Sequence, residues 1–123
     1  KVLSRVQQPP PFPRAQGFIG VYFRAQHDDS AFESIYLRPN CGRSAIQAMR
    51  NHSVQYFAFP GFKFADLRKE APGLYETYAD IGLDEWTTMR IHVTGERAEL
   101  YLDDVRYPSF VVNKMKGTSS SPW

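Results

Sequence analysis

From Met89 to Asp103 the chain alternates between apolar and polar residues. Met89, Ile91 and Val93 interleave with Arg90, His92 and Thr94, and beyond a Thr-Gly-Glu-Arg break Ala98, Leu100 and Leu102 interleave with Glu99, Tyr101 and Asp103. A period of two belongs to strands with one buried face, whereas an amphipathic helix would space its apolar residues by three and four. Two such runs across a short Gly-containing break predict an antiparallel hairpin. Trp86 leads the first strand and is expected in the core with Ile91, Val93, Leu100 and Leu102.

The rest of the chain reads in the same way. With 123 residues it has room for one core and is too short for two ordinary domains. Residues 1–16 form a proline-rich lead-in in which Pro9, Pro10, Pro11 and Pro13 cannot donate to a ladder. Residues 17–113 carry the strands, and 114–123 are a Gly, Ser and Pro-rich tail. Strands are expected over 17–25, with Ile19, Val21 and Phe23 on one side, and over 32–38, the two forming a hairpin around the turn at His27-Asp28-Asp29-Ser30. Further strands are expected over 53–59, 75–80 and 109–112. Residues 44–50 read as a loop, with two helical turns as the alternative, and 62–71 as an irregular or briefly helical arm.

Composition narrows the functional classes. Aromatic residues make up 15% of the chain, with nine Phe and seven Tyr, which suits strand faces that must be filled or offered to a flat ligand. A formal charge of +2 is too mild to imply nucleic acid. The one cysteine, Cys41, rules out an internal disulfide framework, and no stretch approaches the length of a membrane-spanning helix. The first ten residues lack the continuous apolar core of a signal peptide.

Phe23-Arg24, I-Y-L-R-P from Ile35, R-N-H-S-V-Q-Y from Arg50, L-R-K-E-x-P-G-x-Y-E from Leu67 and the hairpin led by Trp86 occur in this order. Together they resemble a bacterial group of concanavalin A-like lectin and glucanase proteins, related to laminin G-like modules and to those of the 3-keto-disaccharide hydrolase type. The resemblance spans residues 17–112. It implies an all-β fold, an antiparallel jelly-roll sandwich truncated at both ends, together with sugar recognition and an extracytoplasmic setting. Such modules carry a strand before the first one here and a Gly-rich strand after the last. Sheet edges left unpaired by that shortfall imply a homodimer or higher oligomer built on an edge, with Phe110, Val112 and Trp123 supplying apolar contacts. The alternative is a smaller monomeric sandwich whose edges are protected by Pro108, Lys114 and Lys116.

Arg50, Asn51 and His52, followed by Gln55 and Tyr56, offer a guanidinium, an amide, an imidazole and a phenol within seven residues, groups that bind vicinal hydroxyls. Tyr36 and Arg38, with Tyr22 and Arg24, occupy alternate positions on adjacent strands and define a polar-aromatic face. Tyr36, Arg38, Asn51, His52, Gln55 and Tyr56 are therefore the candidate ligand contacts. The competing reading makes Arg50 and Asn51 turn residues, His52 a strand-end cap and the face a solvated one with Arg stacked on Tyr.

Catalytic signatures are sparse. The Glu-x-Asp-x-x-Glu arrangement of jelly-roll glycosidases is absent, and Glu99 and Asp103 stand about 13 Å apart at about 3.3 Å per residue, too far for the retaining geometry. Glu70 and Glu76 remain as possible acids from separate segments. Asp28 with Asp29, and Asp103 with Asp104, read as turn formers rather than metal ligands, and no cofactor is implied. The aromatic strand 17–23 lacks the register of an RNA-recognition strand. The expected function is non-catalytic binding of carbohydrate or another polyhydroxylated ligand. A degenerate module acting through protein contacts is the rival, ahead of a glycoside hydrolase or a single-strand nucleic-acid binder.

Overall fold

The computed structural model describes Val2 and residues 17–28, 30–103 and 105–117. The proline-rich lead-in over 3–16, Asp29, Asp104 and the end of the tail with Trp123 lie outside the described residues.

The chain is mostly β. It runs β1 (Ile19–Phe23), β2 (Phe32–Leu37), α1 (Pro39–Gly42), α2 (Gln47–Arg50), β3 (Val54–Phe59), α3 (Phe64–Glu70), β4 (Glu76–Thr77), β5 (Met89–Thr94), β6 (Arg97–Leu102) and β7 (Phe110–Val112). Two antiparallel sheets result, one in the order β1-β2-β3-β4 and one in the order β5-β6-β7. Every neighbour in each sheet is the next strand in sequence, so local hairpin-type connections suffice to build both.

The expected hairpins form with the registers that the alternation demands. Val21 pairs with Ile35 in the first, Ile91 with Leu100 in the second, and the second turns through Gly95 and Glu96. Ile35, Leu37, Val54, Tyr56 and Ala58 of one sheet and Ala98, Leu100, Leu102, Phe110 and Val112 of the other share one buried cluster. The sheets thus face each other across one core, as in a β-sandwich. A groove bounded by Glu76, Thr77, Phe110 and Val111 runs where β4 lies alongside β7. The Tyr75 hydroxyl also donates to the Lys114 carbonyl there at 2.9 Å, which leaves β1 and β5 at the other margin.

Several expectations change. Residues 44–50, expected as a loop, include the single helical turn α2, and α1 begins on Pro39, whose fixed φ and missing N–H suit a first helical position. The arm over 62–71 is briefly helical, as expected, in the seven-residue α3, with Asp66 Oδ2 accepting from the Lys63 amide at 3.1 Å. α3 contributes Leu67 to the core and lies along β3, where β4 pairs only opposite Val54 and Gln55. The strand expected over 75–80 is consequently reduced to two residues. Trp86 is not in the core: it is 66% exposed, because buried Thr87, which pairs with Val2 through two 2.8 Å bonds, takes the inward position beside it.

Candidate functional site

The two outward faces differ in chemistry. Arg90, His92, Glu99 and Tyr101 cover the β5-β6-β7 sheet, where the Tyr101 hydroxyl donates to Glu99 at 2.7 Å and the Arg90 guanidinium stacks 4.4 Å from the Tyr101 centroid. That is an ordinary solvated face. The outer face of the β1-β2-β3-β4 sheet is aromatic instead, because Tyr22, Phe32, Tyr36, Phe57 and Phe59 all fall on the side opposite the buried Ile35, Tyr56 and Ala58. Their rings form a connected array: Phe18 to Tyr36 at 5.4 Å, Tyr36 to Phe57 at 5.6 Å, Phe57 to Phe32 at 5.8 Å, and Phe32 to Tyr22 and Phe59 at 5.4 and 5.2 Å. Such separations suit offset or edge contacts between rings.

A groove of about 400 Å³ lies on this array. Tyr36 and Phe57 form its floor, exposed Phe18, Tyr22 and Phe64 its walls, and Lys63 one rim. Gly20 creates the gap between Phe18 and Tyr22. A Cβ there would sit 2.5 Å from the Ile35 carbonyl oxygen and from the Tyr36 Cα, so no larger residue fits unless the two strands part.

Beside the groove runs a chain of hydrogen bonds. The buried Tyr36 hydroxyl donates to Gln55 Oε1, and Gln55 Nε2 donates to Glu76 Oε2 at 2.8 Å. Arg68, from α3, donates to both Glu76 oxygens at 3.2 and 2.9 Å. His52 Nδ1 lies 3.0 Å from Glu76 Oε1. Burial raises the Glu76 pKa, but hydrogen bonds from Arg68 and Gln55 and the adjacent His52 and Arg68 charges outweigh it and hold the carboxyl below its ordinary range. Burial pushes the Tyr36 phenol up to about 12, against the neighbouring Arg38 and Arg68 charges.

The six candidate residues are therefore divided. Tyr36 and Gln55 share the outer face, and Arg38 joins them with its guanidinium 5.1 Å above the Phe18 ring. His52 reaches the same network from the end of the α2 loop. Exposed Asn51 stands with His52 in a separate shallow groove of about 380 Å³ that also includes Glu76 and Tyr78. The α2 loop is also a tight turn as the competing reading held, with the His52 and Ser53 amides donating to Met49 and Arg50 carbonyls at 3.1 Å.

Tyr56 does not belong to this surface. It is fully buried on the core face, donates its hydroxyl to Glu33 and accepts from the Lys116 amide at 2.7 Å. Consecutive strand residues point to opposite faces, so Gln55 and Tyr56 cannot both meet one ligand. Arg24 also leaves the expected polar-aromatic face. Its φ of 50° turns it toward buried Glu33 and the Gly95 carbonyl, which its Nη1 reaches at 2.9 Å.

Phe18, Phe57, Phe64 and Lys63 are not among the ligand contacts expected from residue type. Phe57 was signalled by its alternation with Tyr56 and Ala58. Phe64 and Lys63 were not, because they reach the face only through the placement of α3. The proposed acids serve other roles: Glu76 is held ionised in the network, and Glu70 accepts from Lys116 Nζ at 2.9 Å. Burial raises the Cys41 thiol, which disfavours the thiolate a nucleophile would need. Among the described residues, Asp28 Oδ1 accepts from the Ser30 amide at 3.0 Å, as a turn former does, whereas Asp103 Oδ1 accepts across the hairpin from the Thr88 amide at 3.0 Å. No three His, Cys, Asp or Glu side chains cluster as a metal site among the described residues. No helix among them is long and apolar enough to cross a membrane.

Compared with models of protein families, with curated proteins and with solved structures, the chain matches none.

Proposed function

We propose that this chain is a concanavalin A-like jelly-roll module that binds carbohydrate, or another polyhydroxylated ligand, without turning it over. The observation that carries the reading is the groove on the outer sheet face, floored by Tyr36 and Phe57 and walled by Phe18, Tyr22 and Phe64. The C–H face of a sugar packs on an aromatic ring, while its hydroxyls find amides, phenols and cations at the ring margins. Tyr22 and Lys63 in the lining and Arg38 over the Phe18 wall supply those groups, while Gln55, only 1% exposed, holds the Tyr36 floor through the hydrogen bonds that run on to Glu76, which lowers the cost of ordering the site on binding. Asn51 and His52 serve an adjoining subsite in the shallow groove beside Glu76.

Saturation-transfer NMR and affinity electrophoresis across a panel of oligosaccharides test this. Binding should map to the Phe18, Tyr22 and Phe64 rings, and Tyr22→Ala should weaken it by about two- to tenfold without loss of fold. Absence of saturation transfer and of retardation with every saccharide would leave the module to protein contacts alone.

One observation favours the rival reading. Val21 is on the core side of β1 yet is 38% exposed, so the margin of the sandwich at β1 is apolar and its outer strand edge unpaired among the described residues. A second copy of the chain adding its β1 antiparallel would cover both, giving a two-fold dimer. Light scattering coupled to size exclusion tests it: a dimer that Val21→Lys converts to monomer supports edge pairing, and a monomer at tens of micromolar removes it.

A further inference from the structure

We infer that the saccharide taken by the aromatic groove is anionic, bearing a carboxylate or sulfate; this rests on the carbohydrate reading above and names the ligand class. The groove's lining holds one cation, Lys63, and no carboxylate. Three cations each stand over a ring of the array or its wall: the Arg38 guanidinium 5.1 Å from Phe18, Lys63 Nζ 5.7 Å from Phe59, and the Arg68 guanidinium 5.5 Å from Phe64.

Their charges are not equally available. Arg68 is neutralised by Glu76 at 2.9 Å. Neither Arg38 nor Lys63 forms an ion pair among the described residues, although seven other pairs are present there. Arg38 Nε is moreover the one buried side-chain polar atom among the described residues that lacks a hydrogen-bond partner. With Nε buried, an incoming anion would meet the rest of the part-exposed guanidinium, whose charge no carboxylate among the described residues answers.

Arg38 and Lys63 stand at opposite ends of the ring array, one after the last residue of β2 and the other beside Phe59, which pairs with the first residue of β2. An extended ligand lying on the rings would meet a positive charge at either end. A guanidinium offers a planar fork to a carboxylate or sulfate, and an ammonium a point charge. A neutral sugar would meet the rings equally well and leave both cations unanswered. The cationic ends therefore set the preference, while the rings set the class.

Oligogalacturonate, its fully methyl-esterified counterpart and a sulfated oligosaccharide of similar length, titrated calorimetrically at low and high salt, separate the possibilities. At low salt the uronate or the sulfated ligand should bind about tenfold more tightly than the ester, the difference between a charge-assisted and a neutral hydrogen bond. High salt should shrink that ratio. Which anion binds identifies carboxylate or sulfate. Lys63→Gln, at an exposed position that leaves the fold intact, and Arg38→Gln should each lower the ratio without abolishing binding of the ester. Equal affinities for ester and anions would overturn the anionic preference and keep the carbohydrate reading, whereas no binding by any of the three, nor by the neutral panel, would overturn both.

Discussion

The Tyr56 hydroxyl donates to the Glu33 carboxylate inside the sandwich, and the other Glu33 oxygen accepts from Arg24. Glu33 is only 1% exposed, and the first oxygen also accepts from the Gly117 amide at 3.0 Å. The cluster ties the C-terminal segment to β2 and β3, and through Arg24 to the β5–β6 turn. Gly117 packs so closely on Glu33 that a Cβ would lie 2.3 Å from the carboxyl carbon. A buried carboxylate with this many donors joins the two sheets where no strand pairing connects them.

Breaking one partner of that cluster should cost more than an ordinary hydrogen bond. Tyr56→Phe should destabilise the fold by about 1–3 kcal/mol, and Arg24→Met by about 3–5 kcal/mol, because each leaves Glu33 buried with too few donors. Urea titration measures both. Tyr56→Phe should leave ligand binding unchanged; a loss of affinity at full stability would return Tyr56 to the binding surface.

The hairpin makes a contrasting pair. Leu100 is wholly buried at the centre of the three-stranded sheet, so Leu100→Ala should cost about 2–4 kcal/mol. Exposed Trp86 forms no part of the core cluster, and Trp86→Ala should change stability by less than about 0.5 kcal/mol. Thermal unfolding of the two variants distinguishes them; a larger loss at Trp86 than at Leu100 would invert the assignment of inside and outside.

Glu76 couples stability to acid. Its carboxyl is held below the ordinary value of 4.5, so its stabilising contribution is complete above that value and is lost as pH falls through the lower native one. Stability should therefore decline below about pH 4.5 less steeply in Glu76→Gln than in the parent chain. Parallel slopes in acid would show that the Arg68, His52 and Gln55 contacts do not hold the charge.

Tyr36 does the opposite in base. Its phenol is raised from 10.0 to about 12 by burial, so its contribution is complete below pH 10 and is lost as pH rises from there through about 12. Tyr36→Phe should flatten the alkaline decline, and ultraviolet difference spectra should show one fewer late-ionising tyrosine. An unchanged late ionisation in that variant would assign it to another ring.

The hairpins at Met89–Thr94 and Arg97–Leu102, and at Ile19–Phe23 and Phe32–Leu37, were legible because side-chain alternation is a local property of the backbone. The same rule, applied to Gln55 and Tyr56, already separates them onto two faces; grouping them by chemistry set it aside. Tyr36, Arg38 and Gln55 were recoverable as one surface from residue type and register alone.

Alternation by itself says that a strand has two sides and not which side meets the second sheet. In β3 both sets are rich in aromatic residues, Tyr56 on one and Phe57 and Phe59 on the other, so hydrophobicity could not choose between them. The choice followed from what Leu100, Phe110 and Val112 packed against, contacts between segments some fifty residues apart along the chain. Glu76 and Arg68 reach His52 for the same reason: β4 and α3 are brought by the fold to the start of β3, where the α2 loop already ends, and no local pattern announces it. The chain's own order of residues determined its strands, their registers and an aromatic surplus. Packing of the two sheets and the placement of α3 decided which rings were buried and which were left facing outward, because burial is shared between distant segments and is settled only when they meet.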